Sequence, residues 1–110
     1  MHCLRSKAYH KVKDIIVSKH PLPGGRKLVA VCDKNLLGKK FEQNNLQLDL
    51  SSDFYAGIEM SADDAAILMW TADMLNLVGK ESVSLGIKLK LVEKHHALRI
   101  AMIPHAQCLL

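Results

Sequence analysis

The apolar residues of this chain come in short runs separated by turn formers, and the period of each run predicts its element. Val12 to Ser18, with Val12, Ile15, Ile16 and Val17, and Lys27 to Cys32, with Leu28-Val-Ala-Val, are β-branched and strand-like. Between them His20-Pro-Leu-Pro-Gly-Gly25 is dense in turn residues, so the two strands make a hairpin with a loop too long for a tight turn. Asp33-Lys-Asn-Leu-Leu-Gly38 has the form of an N-cap, one helical turn and a glycine stop. Leu46, Leu48 and Leu50 then alternate with Gln47 and Asp49, as in a strand with one wet face. Ser51 to Gly57 is a loop whose Phe54 and Tyr55 serve to anchor it on the core.

A longer helix follows. Ser61 can cap it, Asp63 and Asp64 suit its first turn, and Ala65, Leu68, Met69, Ala72 and Leu75 form one stripe. Trp70 falls beside that stripe and reads as a packing residue. Near Leu75-Asn-Leu-Val-Gly79 the pattern becomes a short apolar strand, with a helix start at Lys80; such a junction can hold an anion on backbone N–H groups. Val83, Leu85, Ile87, Leu89 and Leu91 alternate strictly, which by periodicity favours a strand, although Val83, Ile87 and Leu91 also share a helical face. Glu93-Lys-His-His96 is a polar turn. Leu98 to Ile103 reads as a buried strand that stops at Pro104 and delivers His105 and Gln107 to its edge.

At 110 residues, 49% of them apolar, the chain fits one α+β domain over residues 13–110, preceded by a basic arm at residues 1–12. It carries no signal-peptide run and no apolar stretch near the length of a membrane span, so a cytoplasmic, non-membrane protein is expected. Cys3, Cys32 and Cys108 make neither a disulfide framework nor a Cys-x-x-Cys knuckle. His95, His96, His105 and Cys108 have no zinc-ligand spacing, so neither metal nor cofactor is expected.

The formal charge of +4 conceals a segregation. Residues 1–40 hold ten Lys and Arg against Asp14 and Asp33, a net +8; residues 41–79 hold seven acids and no base; residues 80–110 return to +3. A basic block of this kind attracts polyanions, which makes RNA the natural partner of the first third. Equally, the blocks can neutralise one another in the fold. The acidic segment 42–73 offers a second surface, for a basic protein partner.

Several short strings, in this order, carry a resemblance: Val31-Cys-Asp33, Leu36-Leu-Gly38, Lys40-Phe41, Phe54-Tyr55-x-Gly57, Asn76-Leu-Val-Gly79, Leu89-Lys-Leu-Val92 and Ile103-Pro-His-Ala-Gln107. Over residues 13–110 the chain resembles the archaeal family catalogued as domain of unknown function 424. The resemblance implies a compact cytosolic α+β domain, a small mixed or antiparallel sheet with two helices packed on it. It also implies a helix at residues 80–90, against the alternation there, and the Lys80-Glu81 start agrees. Lys90 stands where glycine would be the more typical helix end.

Two functions from different classes follow. The first is a non-enzymatic protein bound to RNA or a ribosomal subunit in the translation machinery, contacting phosphates through Lys11, Lys13, Lys19, Arg26, Lys27, Lys34, Lys39 and Lys40. The second is a small enzyme or ligand-binding domain with a pocket around Asn76, His105, Gln107 and Cys32, where Cys32 would be a nucleophile and His105 its base. A buried structural thiol and a histidine that merely holds the Pro104 turn are the plainer readings of the same residues.

Overall fold

Two strands are buried on both faces, and they lie side by side at the centre of the molecule. In β2 (Lys27–Asp33) residues 29 to 33 are buried, and in β6 (Met74–Val78) residues 75 to 78 are. Continuous burial of this kind belongs to a parallel pair covered on both sides, and β2 and β6 are parallel, with Ala30 opposite Asn76 and Cys32 opposite Val78. The architecture comes from a computed structural model that describes residues 12–94 and 97–110. Residues 1–11 of the expected basic arm, Lys11 included, and the His95-His96 pair lie outside the described residues.

Around the parallel pair the other strands are antiparallel. The six-stranded mixed sheet runs β5-β1-β2-β6-β8-β7, with β1 at Ile15–Pro21, β5 at Ile58–Met60, β7 at Leu98–Ile100 and β8 at Ile103–Leu109. Helices α1 (Ala62–Trp70) and α2 (Lys80–Lys88) cover one face, packing Ala65, Met69 and Val83 on Val29, Val31, Leu75 and Leu77. A separate hairpin, β3 (Lys40–Gln43) and β4 (Leu46–Asp49), covers part of the other face, with Leu48, Leu50 and Tyr55 against Ala30, Cys32 and Val78. The α+β expectation is met, and the sheet is mixed.

Asp33 is the junction of these layers. It does not cap the short turn that follows it at Lys34–Leu36. Its carboxylate reaches instead across to α2, accepting from Glu81 N–H (2.9 Å), Ser82 N–H (2.8 Å) and the Ser82 hydroxyl (2.7 Å). The first-turn amides of a helix lack partners of their own, and a carboxylate at that end also matches the helix dipole. This capping explains why residues 80–88 are helical although their alternation suits a strand. Gly79 precedes the helix at φ 107°, and a Cβ there would collide with the Asp33 carboxylate, so the position admits only glycine.

α2 ends on a motif normally completed by glycine. Lys90 takes φ 63°, its N–H bonds Ile87 O and the Leu91 N–H bonds Gly86 O, the paired closure of a Schellman end. The unusual lysine at the helix end is thus held in the left-handed region.

Two expectations are corrected. Pro104 does not end a strand: β7 and β8 form a hairpin turning at Ala101 and Met102, both at positive φ, and Pro104 is the second residue of β8. It is tolerated because Pro104 O accepts from Gly79 N–H (2.8 Å), while Gly79 O is taken by Val83 N–H of α2 (2.9 Å) and needs no donor from proline. β8 therefore lies inside the sheet, between β6 and β7. Trp70 is not a packing residue either; it is 61% exposed at the end of α1. At 100° per residue it lies about 140° round the helix from Ala65, on the side away from the sheet.

Replacing Asp33 with alanine leaves the buried Ser82 N–H and hydroxyl and the half-buried Glu81 N–H without their acceptor and should cost about 2–4 kcal/mol of unfolding free energy in urea, with Asp33→Asn losing less. An Asp33→Ala protein as stable as wild type would show that the cap contributes nothing. Lys90→Gly should stabilise by about 0.5–1 kcal/mol, because it relieves a left-handed side-chain residue; a loss of stability would contradict the strain assigned to Lys90.

Candidate functional site

Residues facing away from the helices alternate down each strand, and the register carries polar ones into a row. Ser18 lies opposite Ala30, Ala30 opposite Asn76, and Asn76 opposite Gln107. Two residue pairs further along, on the same face, His105 lies opposite Val78. Two of the predicted ligand residues are thereby brought together: His105 Nε2 is 3.2 Å from Asn76 Oδ1. The same oxygen accepts from the Tyr55 hydroxyl at 3.2 Å. Because Oδ1 can only accept, the imidazole in this arrangement is the tautomer with its proton on Nε2. Burial favours the uncharged ring and lowers the His105 pKa below its ordinary value near 6.5. Gln107, third of the predicted set, is exposed at its place beside Asn76.

The network continues past Tyr55. The Phe54 and Tyr55 rings meet edge to face, with centroids 5.0 Å apart, and His20 stacks flat on Phe54 at 4.5 Å. His20 Nε2 also lies 2.8 Å from Phe54 O and 3.0 Å from the Ser18 hydroxyl. The loop anchored by Phe54 and Tyr55 is therefore fastened by polar contacts as well as burial. Tyr55 completes the network, and its pairing with Asn76 spans 21 positions of sequence that no local pattern announces.

Cys32 sits beneath this layer and is 1% exposed. Its thiol donates to the Asp33 carbonyl at 3.3 Å. Burial, helped by the neighbouring Asp33 charge, pushes its pKa up to about 12, so the nucleophilic thiolate is scarce at neutral pH. The anion site imagined at Gly79 is filled by the chain itself, since the Asp33 carboxylate holds the Glu81 and Ser82 amides. Above it a cavity of about 530 Å³ opens at the carboxyl ends of β2 and β6, lined by Asp14, Asp33, Lys34, Asn35, Lys80 and Glu81. Carboxylates and ammonium groups are mixed there.

The predicted phosphate contacts do not form one patch. Lys27 and Lys34 lie at opposite ends of β2, about 23 Å apart at 3.3 Å per residue. Lys13 and Lys34 share one end with the Asp33 junction, Lys39 and Lys40 lie at and just before the start of β3, and Lys19, Arg26 and Lys27 gather at the other end around the β1–β2 loop. Acids of the middle segment interleave with them. Glu59 pairs with Lys34 at 3.3 Å, and Asp49 lies opposite Lys40. Asp73 Oδ2 accepts from the Lys27 backbone N–H at 2.8 Å, and the Asp73 N–H donates to Lys27 O at 2.9 Å.

That last contact brings a residue the sequence pattern misassigned to the basic end. Asp73 follows Trp70 by three residues, so the exposed indole stands at the same end of the sheet as Lys19, Arg26 and Lys27. Among the described residues, none of these three side chains has an ion-pair partner. The signal was available in sequence, since Trp70 falls beside the stripe of Ala65, Leu68, Met69, Ala72 and Leu75 and not within it.

The chain matches the family described as a protein of unknown function, DUF424, over residues 21–110, and it belongs to that family. No curated protein matches it. Among solved structures it is similar to an uncharacterised conserved protein from Methanopyrus kandleri, with TM-score 0.75 and 24% identity over 86% of this chain and 89% of that one. That likeness is one of fold. Among the described residues no helix is long and apolar enough to cross a membrane.

The depressed His105 pKa has a consequence for stability. Between the folded pKa and about 6.5 the unfolded chain binds the proton and the native one does not, so the contribution of neutral His105 is complete above that window and is lost as pH falls through it. Unfolding free energy should therefore drop on acidification more steeply in wild type than in His105→Gln, and proton NMR should place the His105 midpoint below 6.5. A midpoint above 6.5 would contradict the buried, uncharged imidazole.

Proposed function

We propose that this domain is a non-enzymatic RNA-binding protein that holds single-stranded RNA, ribosomal RNA included, at the β1–β2 end of its sheet. The observation that carries the reading is the exposure of Trp70, 61%, at the end of α1 that leads through Asp73 to the Lys27 backbone, the end of the sheet that also holds Lys19 and Arg26. An accessible aromatic face stacks on any base, and unpaired cations beside it take the flanking phosphates. Glycines 24 and 25, both at positive φ, shape the loop between these cations. The opposite end of the sheet is less suited to a polyanion, because Asp14, Asp33, Glu59 and Glu81 accompany Lys13 and Lys34.

The enzyme reading has less support. Its nucleophile is protonated, and the Cys32 thiol donates to a backbone carbonyl, not to His105. Asn76 and His105 are engaged with each other and with Tyr55, an arrangement suited to fastening the loop at Phe54 and Tyr55 onto the sheet.

Fluorescence anisotropy with a labelled single-stranded RNA at two salt concentrations tests the proposal. Three phosphate contacts give a logarithmic salt slope of about −2, so affinity should fall about twenty-fold from 50 to 200 mM salt. Trp70→Ala should weaken binding by about 1–3 kcal/mol, and Arg26→Ala with Lys27→Ala should flatten the slope. Absence of binding at 50 mM, or binding indifferent to these substitutions, would refute it.

A further inference from the structure

The sheet edge remote from the β1–β2 loop carries a second basic feature. α2, the connection after it and β7 enclose a groove of about 330 Å³. Lys80 and Ser84, four residues apart, share one face of α2 and form one wall. Arg99 faces them from β7, opposite Pro104, and Lys94 closes the end. Val83, Ile87 and the Pro104 ring supply an apolar lining.

Charge in this groove is of one sign. Glu81 is turned about 100° from Lys80 on the helix and lines the cavities on the Asp14 side instead. Among the described residues no acid lines the groove, and none of the side chains of Lys80, Lys94 and Arg99 has an ion-pair partner. Three like charges brought together over an apolar surface repel one another, and a multiply charged anion relieves that repulsion. Arg99 presents a fork suited to two phosphate oxygens, Lys80 and Lys94 act as point charges, and the Ser84 hydroxyl adds a donor.

We infer that this groove is a binding site for a small phosphorylated molecule with an apolar or planar body, such as a nucleoside diphosphate. Its phosphates lie among Lys80, Lys94 and Arg99, and its body covers Val83 and Ile87. The volume is at the lower end of small-molecule sites, which bury most of a ligand, whereas a polymer needs a continuous cationic track. The groove lies at the β7 edge of the sheet, with β6 and β8 between it and β2, so the site is independent of the RNA surface.

Calorimetric titration of the full chain with ADP, pyrophosphate and adenosine decides the matter. ADP should bind saturably, pyrophosphate more weakly and adenosine not measurably. Arg99→Ala and Lys94→Ala should each weaken ADP at least ten-fold while leaving the melting temperature unchanged, since both side chains are exposed. Arg26→Ala should leave ADP binding intact. The inference is overturned if neither ADP nor pyrophosphate binds saturably, or if the groove variants bind ADP like wild type. Competitive displacement of ADP by single-stranded RNA would also overturn it, by assigning the groove to the RNA surface.

Discussion

The carboxylate of Asp33 ties the end of the central strand to the first turn of α2, beside the apolar packing of Val83 on Val29 and Val31. It closes β2, the central strand, and it supplies the acceptor that α2 needs at its first turn. Once α2 starts at Gly79, the Gly79 carbonyl belongs to the helix and its N–H to β8, and this division lets a proline enter the sheet at position 104. The register of β8 follows, and with it the meeting of His105 and Asn76. The placement of Lys80 and Ser84 opposite Arg99 depends on the same helix start. An acid at the end of one parallel strand thus sets both the polar network on one face and the groove on the other.

A second constraint is electrostatic. The chain is written in blocks, basic, acidic and basic, yet the sheet order interleaves them. β5 brings Glu59 beside Lys34, the β3–β4 ladder sets Asp49 across from Lys40, and the start of β6 ties the Asp73 carboxylate to the Lys27 backbone N–H. Among the described residues, Lys19, Arg26 and Lys27 at the β1–β2 end and Lys80, Lys94 and Arg99 around the groove have no ion-pair partner. Surface ion pairs contribute little to stability, so the effect of this interleaving is to decide where the field of the protein is uncancelled.

Much of the fold was legible because local signals agreed with it. The hairpin of β1 and β2, the alternating Leu46 to Leu50 segment and the Ser61 cap, whose side chain accepts from Asp64 N–H at 3.2 Å, all follow from spacing and turn chemistry. The failures were tertiary. Alternation at residues 83–91 suggested a strand, and only a capping acid forty-nine positions away in sequence makes it a helix; the family resemblance supplied that answer where periodicity could not. Pro104 read as a strand end because the donor it lacks is excused by a helix carbonyl remote in sequence. Of the candidate ligand residues, Asn76 and His105 do meet, while Tyr55 escaped notice because nothing local marks its partner. The basic residues of the groove are scattered from position 80 to 99 and form no block in sequence.

The proposed RNA contact turns on Trp70, the sole tryptophan of the chain, so its emission reports on a single place. Titrating single-stranded RNA into the protein at low salt while following tryptophan fluorescence tests the account most directly. Stacking of a base on Trp70 predicts saturable quenching that high salt reverses. Unchanged emission under conditions where RNA is bound, or the absence of RNA binding at low salt, would contradict it.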